Sequence, residues 1–117
     1  MQFLMLVCTD PEAEPYRAED DNIGEWVRDV EQRGVHVIGN RLRPAAEART
    51  VRLRGGDLSV TDGPFAEVGE HIAGFDLLEC ASLEEAVAVA GRHPMARFGR
   101  IEVRAAWPFE DEAPNPA

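Results

Sequence analysis

Apolar and polar positions along the chain mark four core strands, a hairpin and two helices. Over residues 2–8 the apolar side chains fall on both faces of an extended segment. Phe3, Met5 and Val7 share one face and Leu4, Leu6 and Cys8 the other, which predicts a strand buried on both sides. Ile23, Trp26, Val27 and Val30 recur at i, i+3, i+4 and i+7 and predict a helix that Gly34 ends. Val35 to Leu42 reads as a second strand, stopped at Arg43-Pro44. Thr50 to Thr61 reads as a hairpin around Gly55-Gly56, with Leu53 opposite Leu58, Val51 opposite Val60 and Arg54 opposite Asp57. Ile72 to Cys80 is a further strand, with Phe75 and Leu77 on one face and Ile72, Leu78 and Cys80 on the other. Ser82-Leu83-Glu84-Glu85 is a capping box opening a helix that carries Leu83, Ala86, Val87 and Ala90 and stops at Pro94. Arg100 to Trp107 is the last strand, alternating Ile101, Val103, Ala105 and Trp107 with Glu102 and Arg104.

This β-α-β, hairpin, β-α-β order predicts an α+β fold: a ferredoxin-like antiparallel sheet, two helices on one face, and an inserted hairpin. Two helices cover one face of a sheet, yet the strands at 2–8 and 72–80 are apolar on both. A second copy of the chain is the expected cover, giving a homodimer through the sheet face. The same topology sets Cys8 and Cys80 at opposite ends of the sheet, so they are expected as free thiols.

The chain has 117 residues and a net charge of -10, so it is read as one domain over 1–107 followed by an acidic, Pro-rich tail at 108–117 expected to be disordered. Such acidity argues against nucleic-acid and membrane partners. The apolar N-terminus is short, lacks basic residues and runs at once into Asp10, Glu12 and Glu14, so a cytoplasmic protein is expected. The three histidines and the carboxylates lack metal-ligand spacing, and no phosphate-binding loop or nucleophile elbow occurs, so neither a metal nor a cofactor is expected.

Candidate chemistry centres on Asp62-Gly63-Pro64-Phe65, a tight turn at the end of the hairpin strand. Asp62, shielded by Phe65, would be an acid or base; exposed, it would be an Asx-type turn cap. His36 is either an imidazole partner for it or a hydrogen-bonded sheet residue. His71 is expected at the surface, and His93, beside Pro94 at a helix end, is expected to cap the helix as a cation. Arg43 and Arg104 are candidate carboxylate binders, although Arg104 shares a strand face with Glu102. Trp26 and Trp107 are assigned to the core and the dimer contact.

Several segments in order resemble the YCII-related family, in the branch named for its Asp-Gly-Pro-Phe motif. They are Met1 to Val7, Gly39-Asn40-Arg41-Leu42-Arg43-Pro44, Thr50-Val51-Arg52, Thr61 to Glu67, Gly74-Phe75 and Ile101 to Arg104. The resemblance implies a dimeric α+β barrel. It implies less about activity: related short members use a His and an Asp in a cleft, and one lineage eliminates chloride from a chlorinated aromatic. Actinobacterial members are often encoded beside extracytoplasmic-function sigma factors, which implies a regulatory or stress context. This chain departs from the short members in having Glu19-Asp20-Asp21-Asn22-Ile23, without His, at the first helix, and His93-Pro94 where they have Asp-Pro.

Three readings follow. The first is a homodimer without catalysis, regulatory in role, binding an unknown small molecule through Asp62, Gly63, Pro64, Phe65, Arg43 and Arg104. The second is a hydrolase- or lyase-type enzyme with Asp62 as base and His36 or another His as partner. The third is a protein-interaction module with an acidic surface. A pocket holding Asp62 and a His within hydrogen-bond reach favours the second, a solvent-facing Asp62 counts against it, and a cleft filled by side chains favours the third.

Overall fold

A computed structural model describes residues 1–63 and 71–112. Pro64 and Phe65 of the motif, Glu67, Glu70 and tail residues 113–117 lie outside the described residues. Four strands, β1 (Gln2–Cys8), β2 (His36–Arg41), β5 (Ile72–Glu79) and β6 (Arg100–Ala105), form one antiparallel sheet in the order β2-β5-β1-β6. That is the strand order of a ferredoxin-like sheet, with α1 (Ile23–Gln32) and α2 (Leu83–Gly91) as its two crossover helices.

The helix-facing side is the core. Phe3, Met5 and Val7 of β1, Leu78 of β5 and Cys80 beyond its end, Trp26 and Val30 of α1, and Ala86, Val89 and Ala90 of α2 are all buried. On the other face Leu4 pairs with Leu77 and Leu6 with Phe75 across β1 and β5. These residues are only half-buried, so the open apolar face read from the sequence is present. Cys8 pairs with Ile72 at one end of the sheet, whereas Cys80 bonds to Met1 at the other; both thiols are free.

The hairpin, β3 (Arg49–Arg54) and β4 (Asp57–Asp62), has the expected register: Val51 to Val60, Leu53 to Leu58 and Arg54 to Asp57. Gly55 and Gly56 both have positive φ, 56° and 84°, the backbone of the tight turn that joins such strands. It forms its own two-stranded sheet, with Val51, Leu53, Leu58 and Val60 exposed.

Other expectations are corrected. α2 turns Val89 inward with Ala86 and Ala90 and leaves Leu83 and Val87 exposed. Its capping box is intact in part: Ser82 Oγ accepts from the Glu85 N–H, while the Glu85 carboxylate accepts from Ala81 rather than Ser82. Pro94 does not only stop a helix; it leads into α3 (Met95–Phe98), whose Phe98 is buried. Trp107, expected in the last strand, lies beyond the end of β6 at Ala105 and is exposed, its indole donating to the Glu112 carbonyl. No helix among the described residues is long and apolar enough to cross a membrane.

Candidate functional site

A cavity of about 470 Å³ lies between the helix-facing side of β2 and β5 and the first turns of α1. Its floor includes Val7, Gly39 and Gly74, and its roof Ile23, Trp26 and Val27. This explains why Ile23 and Val27, part of the apolar stripe of α1, remain 40% and 39% exposed: they face the cavity rather than packed core.

Two histidines, an aspartate and an arginine are among the described residues that line it: His36, His93, Asp76 and Arg41. His36 Nε2 lies 2.8 Å from Asp76 Oδ1, with side-chain exposures of 24% and 16%. An ionised carboxylate only accepts, so Nε2 carries the proton and Nδ1 is left as the basic nitrogen. A register shift at Val37 creates this geometry. It places His36 opposite Leu78 and Gly39 opposite Asp76, so two residues three apart on β2 share the helix-facing side. Arg41, opposite Gly74, completes the row.

Gly39 is required there. A Cβ at this position would lie 2.0 Å from Asp76 Oδ1 and 2.8 Å from the Phe75 carbonyl, so only a missing side chain leaves room for the carboxylate. Trp26 holds the other side. Its ring meets His36 and His93 edge-on, at centroid distances of 6.2 and 4.8 Å. Its indole N–H donates to the Val89 carbonyl at 2.9 Å, which fixes the ring.

His93 is buried, and its Nδ1 accepts from the Met95 N–H at 3.0 Å. Burial holds its imidazole below its ordinary value of 6.5, against the opposing pull of Asp76 and Asp21. The expected cationic helix cap is therefore corrected to a neutral ring, protonated on Nε2, that caps α3. It stands beside His36–Asp76 as a hydrogen-bond donor rather than a charge.

Of the residues singled out in the sequence, His36 lines the cavity. Asp62 does not: its side chain is 86% exposed and pairs with Arg49 at 3.2 Å on the hairpin. The Gly63 N–H donates to the Ala48 carbonyl, and the Gly63 carbonyl accepts from Thr50 Oγ1, both bonds that tie the two ends of the hairpin strands together. Arg43 is exposed and paired with Glu47 one helical turn on. Arg104 lies opposite Leu4 on the open face of the sheet. The structure thus brings His36 to Asp76 and not to Asp62. Asp76 was legible in one respect: it has the parity of Leu78 and Cys80, so a carboxylate stands among core-facing positions. Among the described residues no cluster of His, Cys, Asp and Glu could hold a metal ion.

Residues 1–110 match the model of the YCII-related domain, and the chain belongs to that family. An uncharacterized protein of Rhizobium meliloti (strain 1021) is 50% identical over 50 residues, a match that spans 43% of this chain and 40% of that relative. Among solved structures, 5-chloro-2-hydroxyhydroquinone dehydrochlorinase from Burkholderia phenoliruptrix AC1100, in complex with 2,5-dihydroxybenzoquinone, is similar at 15% identity. That match covers 92% of this chain and 94% of the other, with a TM-score of 0.47.

Proposed function

We propose that this YCII-related protein is a small-molecule-binding homodimer whose cavity is a proton-transfer centre of hydrolase or lyase type. His36 is the base, Asp76 fixes its tautomer and supports the cation formed when Nδ1 takes a proton, and His93 donates from its neutral ring to an oxygen of the bound molecule. The observation that carries this reading is the 2.8 Å His36–Asp76 contact in a cavity walled mainly by apolar groups. An apolar molecule bound there would displace water and so strengthen each polar interaction. The carboxylate role expected of Asp62 passes to Asp76.

The homodimer is supported by the half-buried Leu4, Leu6, Phe75 and Leu77 and by the exposed stripe of the hairpin. A second copy across the sheet would remove the first set from water and leave the cavity, on the helix side, accessible. The cytoplasm suits a free-thiol protein of this charge, and a regulatory or stress role rests on the family resemblance.

The test uses 5-nitrobenzisoxazole, a flat apolar molecule whose ring opens when a base removes its carbon-bound proton. Acceleration over buffer that is lost in His36→Ala supports the proton-transfer reading. Equal rates for wild type and His36→Ala overturn it and leave a binding protein without catalysis.

A further inference from the structure

Arg41 is the last residue of β2 and stands on the helix-facing row with His36 and Gly39. Its side chain lines the cavity and is exposed at the mouth. Among the described residues it has no ion pair, whereas Arg43, two residues on, is held by Glu47. Among the described residues that line the cavity it is the only arginine, and Asp76, the carboxylate among them, is already bonded to His36. We propose that Arg41 anchors the anionic end of the ligand, and that the molecules this cavity takes are apolar monocarboxylates.

This inference rests on the cavity being the ligand site. The chemistry follows from what surrounds the guanidinium. A carboxylate matches its planar fork, giving two parallel hydrogen bonds. Trp26, Val27 and Ile23 offer an apolar wall to the rest of the molecule. A ligand with several negative charges is disfavoured by the net charge of -10 and by the single guanidinium. The spacing also constrains the ligand. Arg41 and Gly39 are two residues apart on a strand, roughly 7 Å. Gly39 faces the Asp76 carboxylate bonded to His36. A molecule held by its carboxylate at Arg41 therefore extends inward and offers to His36 a position several bonds from the anchor, not the carbon next to the carboxylate.

The test is a matched pair of ligands, 1-naphthylacetate and 1-naphthylacetamide, nearly identical in shape but different in charge. Binding to wild type and to Arg41→Gln is followed by NMR at the Trp26 indole N–H. Arg41 is exposed on an edge strand, so the substitution leaves the core intact. The expected result is that the acid binds wild type about tenfold more tightly than the amide, and that Arg41→Gln removes the difference. Equal binding of acid and amide to wild type, both shifting Trp26, overturns the anchor and leaves the cavity as a ligand site. An acid preference that survives in Arg41→Gln overturns it too. If neither molecule shifts Trp26 at millimolar concentration, the ligand site itself is rejected, and the anchor with it.

Discussion

The carboxylate of Asp76 occupies the space where a side chain on residue 39 would stand, and Gly39 is what allows it to reach His36. With a Cβ placed 2.0 Å from Oδ1, the substitution Gly39→Ala forces Asp76 to swing away or the strands to part. Overpacking of this kind costs about 1–3 kcal/mol. We predict a loss of stability in that range and loss of the His36–Asp76 bond, read as a changed tautomer of His36 in its ring-nitrogen NMR shifts. An unchanged tautomer would show that Asp76 does not depend on the gap.

Trp26 spaces the two imidazoles and ties α1 to α2 through the Val89 carbonyl. Trp26→Phe removes that donor, for about 1 kcal/mol, and loosens the wall between His36 and His93. Denaturant unfolding is expected to register the loss, and the signals of both histidines should broaden or move. A change confined to one histidine would contradict its place between them.

His93 makes stability depend on pH in a stated direction. Its folded pKa lies below 6.5, so the unfolded chain takes up the proton first as pH falls. Its contribution is complete above pH 6.5 and is lost progressively below it. His93→Asn keeps an acceptor for the Met95 N–H and cannot titrate. The variant is expected to lose less stability than wild type between pH 7 and 5. Parallel curves would remove His93 as the source.

The open sheet face carries the dimer proposal. Leu6 lies opposite Phe75 on one side and Glu102 on the other. Leu6→Lys places a charge in the centre of that face, yet gives the new ammonium a carboxylate on its own chain, so the monomer fold survives. Light scattering is expected to give twice the chain mass for wild type and once for the variant. A wild-type monomer, or a variant that stays dimeric, contradicts association through this face.

Much of the fold was legible because period and punctuation agreed. The two-sided strand at Phe3 to Cys8, the stripe on α1 and the pairing of Leu53 with Leu58 all follow from side-chain alternation and turn chemistry. The site was less legible for a specific reason. Plain alternation on β2 groups His36 with Ile38 and Asn40, whereas the register shift at Val37 groups it with Gly39 and Arg41. A bulge leaves no mark in the hydrophobic pattern, so neither the Asp76 partner nor the Arg41 position emerged. α3 was missed because four residues are too few to display a helical period.

The most direct test is the ring-opening rate of 5-nitrobenzisoxazole with Asp76→Asn and Asp62→Asn measured side by side. A positioned acid–base group contributes roughly 10²–10⁴ in rate. Asp76→Asn is expected to lose most of the acceleration, and Asp62→Asn, altered at an exposed hairpin residue, to keep the wild-type rate. The reverse pattern, with Asp62→Asn inactive and Asp76→Asn unchanged, would contradict this expectation and return the chemistry to the Asp-Gly-Pro-Phe turn.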